Sequence, residues 1–78
     1  MSEISLVTLE RGESATVVSL DGGIGFQKRL RSVGLKEGKK IRVVAVHPFG
    51  GPVVAETDGR QVTIGRKMAQ RVTVSKES

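Results

Sequence analysis

The chain has 78 residues and a mass of 8.3 kDa, which leaves room for one domain and no second core. It carries no cysteine, so neither disulfides nor thiolate metal sites can staple it, and its longest purely apolar run, Val43-Val44-Ala45-Val46, is far below the ~20 residues that span a bilayer. The net charge of +5 and pI near 10.3 admit nucleic acid, anionic membrane or acidic protein as partners, yet a small domain commonly carries about 2–8 charges simply to stay dispersed.

In chain order, Ile4 to Leu9 places apolar side chains at Ile4, Leu6, Val7 and Leu9, too short a pattern to separate a strand from a helical turn. The opening Met1-Ser2-Glu3-Ile4 lacks the basic and apolar regions of a secretory signal, and a cytoplasmic protein is expected. Gly12 marks a turn and Ala15 to Leu20 a strand. Its apolar positions change phase between Val17 and Val18, which predicts a bulge or a sharp bend. The same grammar returns 26 residues later. Leu9, Gly12, Ala15, Val17, Val18 and Leu20 are echoed by Leu35, Gly38, Ile41, Val43, Val44 and Val46. Two copies are too few for a stacked repeat array, so shared local chemistry is the preferred explanation.

Between these units, Gly22-Gly23-Ile24-Gly25 lacks the Lys-Ser/Thr of a P-loop and the spacing of a dinucleotide fingerprint; positive φ or close packing explains the glycines better. A short helix over Phe26–Val33 places Phe26, Leu30 and Val33 on one side and Lys28, Arg31 and Ser32 opposite, with Gln27 and Arg29 flanking. Gly34 suits the left-handed position past the helix end, and Leu35 can fold back on Leu30 as a Schellman ending. The strand Ile41–Val46 follows a turn at Gly38. From Lys28 to Arg42 stand seven of the 13 basic residues and one acid, Glu37, a local balance of +6 that leaves the rest near neutral.

Beyond Val46, the loop His47-Pro48-Phe49-Gly50-Gly51-Pro52 holds both prolines. Strands Val53–Glu56 and Gln61–Ile64 flank Thr57-Asp58-Gly59-Arg60, whose Asp58-Gly59 is a strong hairpin signal. Gly65–Ala69 reads as a single helical turn, Arg71–Val74 as the last strand and Ser75–Ser78 as a frayed tail. The sum is a mainly β domain over 1–78, a small SH3-like barrel of about five strands. It has one short helix after the first strand and a helical turn before the last.

Catalytic signals are missing: one histidine, no cysteine, no nucleophile elbow and scattered carboxylates. No catalytic, cofactor or metal residue is assigned, and His47 reads as a loop residue, because a firm transition-metal site needs three or four ligands. With no Trp, no Tyr and two Phe, the chain lacks the aromatic groove of a proline-peptide reader and the stacking platforms of a single-strand binder. Phe49 is either tucked under its loop or exposed as an anchor for a partner, with core packing favoured. Arg66 and Lys67 read as a solvated turn.

Taken as an ordered set, the chain resembles the FeoA family, the small cytoplasmic accessory proteins of bacterial ferrous-iron transport. The likeness is carried by Leu6 and Leu9-x-x-Gly12, then by Leu30-x-x-Val33-Gly34-Leu35-x-x-Gly38-x-x-Ile41-x-Val43. It continues through Pro48-Phe49-Gly50-Gly51-Pro52 and Val62-x-Ile64-x-Arg66-x-x-Ala69-x-x-Val72-x-Val74. Arg11 and Glu37 stand where the family often has proline. The resemblance implies an SH3-like barrel acting beside FeoB, a large membrane transporter with a cytosolic GTP-binding domain. It also implies a non-enzyme that is itself no pump, GTPase or iron carrier. Similar domains occur at the C-terminus of DtxR-type repressors, and a chain without a helix-turn-helix is expected to be the standalone form. The docking face expected on this basis is Lys28, Arg29 and Arg31 with Phe49. Attraction to an anionic membrane surface could assist docking. The alternative is a basic barrel that binds nucleic acid electrostatically, a less favoured partner. Oligomeric state is left open.

Overall fold

A computed structural model describes residues 3–47 and 49–76. The stretch that is ambiguous by pattern is both things in turn. Strand β1 (Glu3–Ser5) runs into a single 3-10 turn, Leu6–Thr8, capped by the Ser5 hydroxyl, which accepts from the Val7 amide. Strand β2 (Ser14–Leu20) leads to helix α1 (Ile24–Ser32) and strand β3 (Lys40–Val46). Strands β4 (Val53–Thr57) and β5 (Arg60–Ile64) form a hairpin, then come helix α2 (Arg66–Ala69) and strand β6 (Val72–Lys76). All neighbours pair antiparallel in the order β1-β6-β2-β3-β4-β5. The architecture is mainly β and SH3-like, with six strands rather than about five, because three residues before Leu6 extend far enough to pair with Ser75, Val74 and Thr73. The hydrogen-bonded sheet does not close: β1 and β5 are its edges. Among the described residues no helix is long and apolar enough to cross a membrane.

The phase change at Val17-Val18 is a bulge. Val17 pairs with Val74, but Ser19 pairs with Thr73, so Val18 is the extra residue and Leu20 instead of Ser19 faces the core. Strand β3 does the same: Val43 pairs with Ala55 and Ala45 with Val54, leaving Val44 as the extra residue. The two echoed units also bond to each other. The Gly12 amide donates to the Val43 carbonyl (2.7 Å) and the Gly38 amide to the Val17 carbonyl (2.8 Å). In return the Val43 amide donates to Glu13 and the Val17 amide to Lys39, both at 2.9 Å. Adding or subtracting 26 converts each bond into its counterpart, and the β2–β3 register is centred on Ala15 opposite Ile41, also 26 apart. The echo is thus a local two-fold pair in one sheet, with left-handed glycines at both turns, Gly12 at φ 91° and Gly38 at φ 88°.

One core gathers Leu6, Leu9, Ala15, Val17, Leu20, Leu30, Leu35, Ile41, Val43, Val53, Ala55, Ile64, Ala69, Val72 and Val74, with Phe26 partly buried against it. Helix α1 begins two residues earlier than its apolar spacing predicts, so Gly25 is helical and Gly23 caps it in extended conformation. Gly22 is needed for close packing: a Cβ there would lie 2.5 Å from Cδ2 of Phe26. Gly23 and Gly25 have open space and no positive φ, so neither explanation offered for the glycines applies to them. At the other end the Schellman ending is present, with Gly34 at φ 97°, its amide on the Arg31 carbonyl (3.1 Å), and the Leu35 amide on the Leu30 carbonyl (2.9 Å). Val33, expected on the apolar side, is the exposed C-cap residue, because the chain leaves the helix there and Leu35 takes the buried place.

The hairpin turn has left-handed Asp58 (φ 53°) and Gly59 (φ 77°), as a two-residue type I′ connection requires. The expected tail is partly strand: Ser75 and Lys76 belong to β6, pairing with Thr16 and Ala15, while residues 77 and 78 lie outside the described residues.

Candidate functional site

Of the residues expected to form a docking face, Lys28 and Arg29 are exposed on α1 and form no ion pair among the described residues. Arg31 is different. Its guanidinium grips Glu37, with Nη2 at 3.0 Å from Oε2 and 3.3 Å from Oε1, which bridges the helix to the turn before Gly38. The local excess of positive charge is reduced further by acids distant in sequence. Lys39 pairs with Asp58 (2.8 Å) across the hairpin turn and Arg42 with Glu56 (3.3 Å) on β4. Within Lys28–Arg42, Arg31, Lys39 and Arg42 are therefore held in ion pairs, while Lys28, Arg29 and Lys36 are exposed and form none among the described residues.

These pairings move titrations in one direction. The hydrogen bond from Arg31 holds the Glu37 carboxyl below the ordinary 4.5, and that from Lys39 holds Asp58 below 3.8. Lys76 does the same for Glu13, and the Thr73 and Ser19 hydroxyls for Asp21; in return Glu13 raises Lys76 above 10.5. A depressed carboxyl stabilises the folded state above its unfolded pKa and loses that contribution as pH falls through the folded one; a raised amine loses it as pH rises through the folded value. The urea midpoint is therefore expected to stay flat from about pH 5 to about pH 10 as far as these groups decide it, and to fall on either side. Glu37→Gln and Asp58→Asn together are expected to shrink the acid-side fall, as urea titrations at stepped pH would show.

Phe49 is fully exposed, contrary to the favoured core packing. Its backbone is left-handed at φ 63°, followed by Gly50 at φ 80°, which turns the side chain out of the sheet. Such a backbone costs a bulky residue about 1–3 kcal/mol and persists only where its surroundings hold it. The brace is Arg66. Instead of lying in a solvated turn, Arg66 is half-buried and its Nε donates to the Gly51 carbonyl (3.2 Å), with its Cδ 3.7 Å from where a Cβ on Gly50 would be. Lys67 is exposed as expected, and His47 lies in a loop as expected, exposed. Among the described residues no three His, Cys, Asp or Glu side chains could together hold a metal ion.

No hydrogen bond or ion pair joins Phe49 to Lys28, Arg29 or Arg31 among the described residues. Of these four, Arg29 alone lines the groove that lies between α1 and β5. One part, of about 340 Å³, is lined by Arg29, Leu30, Val33 and Val62 and runs past Ile64 to Gly65 and Met68, next to Arg66 and its tethered loop. The other part, of about 370 Å³, continues past Ser32 and Val33 to Arg60. Arg60 and the groove are absent from the face expected by sequence. By sequence Arg60 falls in the turn Thr57-Asp58-Gly59-Arg60 with the strand starting at Gln61; β5 begins one residue earlier, at Arg60, and no local signal marks it as an edge strand.

The FeoA domain model matches residues 4–76. A Methanocaldococcus jannaschii protein with the provisional name Fe(2+) transport protein A is 35% identical over 69 residues, 88% of this chain and 82% of that one. The crystal structure of an iron uptake regulatory protein (FeoA) superposes with a TM-score of 0.91 at 33% identity, covering 97% of this chain and 100% of that one. A manganese-dependent transcriptional repressor superposes with a TM-score of 0.83 at 25% identity over 96% of this chain, which spans only 42% of the repressor. The match over nearly the whole length, on a sheet with the same fold, means that the chain belongs to the FeoA domain family.

Proposed function

We propose that this protein is a cytoplasmic, non-catalytic accessory subunit of ferrous-iron transport that docks on the cytosolic part of an FeoB-type membrane transporter and modulates Fe(II) uptake. The observation that carries this reading is the exposure of Phe49. Folding holds it in an unfavourable backbone conformation and leaves its ring in water, an arrangement that benefits stability only when another surface covers it. Burying such a ring is worth about 1.5–3 kcal/mol. Lys28 and Arg29, with Lys36 just beyond the helix, add exposed positive charge that forms no ion pair among the described residues and steers encounter with an acidic surface.

Binding to the isolated cytosolic region of the transporter tests the reading. Phe49→Ala is expected to weaken affinity about tenfold or more. Lys28→Glu with Arg29→Glu is expected to weaken it further and to flatten its salt dependence. Arg31→Glu alone should matter less, since Arg31 is already engaged by Glu37. Unchanged affinity in both the Phe49 and the charge-reversed variants would remove this docking face.

A further inference from the structure

Edge strands of a sheet offer unpaired amides and carbonyls, and proteins normally blunt them with bulges, prolines, inward charges or a covering element. The two edges here differ. Strand β1 is three residues long and ends in the 3-10 turn, and Ser5 ties it down by donating its hydroxyl to the Gln70 carbonyl (3.1 Å). Strand β5 has no such protection. It runs five residues without proline, and its pairing with β4 is continuous, both bulges lying in β2 and β3. Because Thr57 and Arg60 close a two-residue hairpin, Arg60, Val62 and Ile64 exchange hydrogen bonds with β4. The amides and carbonyls of Gln61 and Thr63 therefore point off the sheet.

The groove lies along this same strand. Its apolar floor is Leu30, Val62 and Met68, with Val33 exposed on the helix side. Among the described residues its only ionisable lining groups are Arg60 in one part and Arg29 in the other, and no carboxylate lines either part. Arg60 and Ile64 are four residue steps of strand apart, about 13 Å, so an extended guest spanning β5 would meet one guanidinium towards each end. A free backbone ladder, apolar pockets for alternate side chains and acid-free positive ends together define the guest. A second copy of a chain with net charge +5 fits this charge pattern poorly.

We propose that the β5 edge and the groove beside it take an extended segment of another protein as an additional strand, with alternating small apolar residues and a carboxylate towards each end. This goes beyond the docking of Phe49 and Lys28 and does not depend on it, and its test needs no transporter.

The probe is an eight-residue peptide, acetylated and amidated, alternating Val and Ser with Glu at both ends. Amide chemical shifts of the whole protein are followed by NMR during titration. Saturable shifts are expected to be largest at Gln61 and Thr63, with hydrogen exchange of those two amides slowed about tenfold at saturation. Thr63→Pro removes an outward amide at an edge position that tolerates proline, and is expected to weaken binding about tenfold or more while leaving shifts elsewhere native. Val33→Glu, which puts a carboxylate in the groove without touching the strand, is expected to do the same. The peptide with Lys at both ends should not bind. Equal binding of the Lys peptide, full affinity in both variants, or shifts centred away from β5 would overturn the proposal. So would self-association of the protein that Thr63→Pro abolishes, which would identify the occupant as a second copy.

Discussion

Leu35→Ala is expected to lower the unfolding free energy by about 2–5 kcal/mol, the range for truncating a buried leucine whose cavity cannot collapse. Leu35 has no solvent exposure, and its place is fixed twice, by the bond from its amide to Leu30 and by left-handed Gly34 before it. At about 0.05–0.15 kcal/mol per residue, the whole domain has only ~4–12 kcal/mol of stability, so this one change consumes a large share. With no Trp or Tyr to report unfolding, urea titration followed by circular dichroism is the measurement. The control is Val33→Ala. Spacing alone places Val33 with Phe26 and Leu30, but as an exposed cap residue it should shift stability by no more than about 0.5 kcal/mol. A loss at Val33 equal to that at Leu35 would contradict the helix ending described here.

The second large effect is expected at the paired turns. Gly12 and Gly38 both have open space where a Cβ would go, so alanine there meets no clash and its cost is the backbone alone. A left-handed non-glycine residue costs roughly 1–2 kcal/mol, and Gly12→Ala with Gly38→Ala should together cost about 2–4 kcal/mol. The two turns each donate to the bulge of the other unit, so the double variant also tests whether the pair acts as one element. If straightening one turn loosens the other, the combined loss will differ from the sum of the single losses. D-alanine placed at Gly12 by chemical synthesis separates conformation from size. It favours positive φ and restricts the unfolded chain, so it should leave stability unchanged or raise it slightly. A loss with D-alanine equal to that with L-alanine would mean that the position senses bulk instead of φ.

Most of the fold was legible because its signals are local. The phase change at Val17-Val18 is a bulge, Asp58-Gly59 is a two-residue hairpin turn and Gly34-Leu35 is a Schellman ending; each is dictated by the geometry of a few adjacent residues. The same held for the FeoA likeness, which rests on ordered spacing along the chain. The errors lie where a residue's neighbours come from elsewhere. The sequence leaves Phe49 open between core packing, which it favours, and an exposed anchor; its exposure follows from a left-handed backbone braced by Arg66, 15 residues beyond the Gly51 carbonyl it holds. Lys76 looks like frayed tail by sequence because its partners, Ala15 on β2 and the Glu13 carboxylate, are distant along the chain.

The sequence by itself determined the mainly β class, the two bent strands, the helix with its glycine ending, and a concentration of positive charge between Lys28 and Arg42. Only the tertiary structure decided which of those charges remain free, because ion pairing depends on distance through space: Glu56 and Asp58 come from β4 and its turn to meet Arg42 and Lys39. Strand order likewise decided that β5 is an open edge and that Arg60 and Arg29 share one groove. A strand's own residues specify which way its side chains alternate. Whether a neighbour covers its outer amides is settled by how the rest of the chain returns to the sheet.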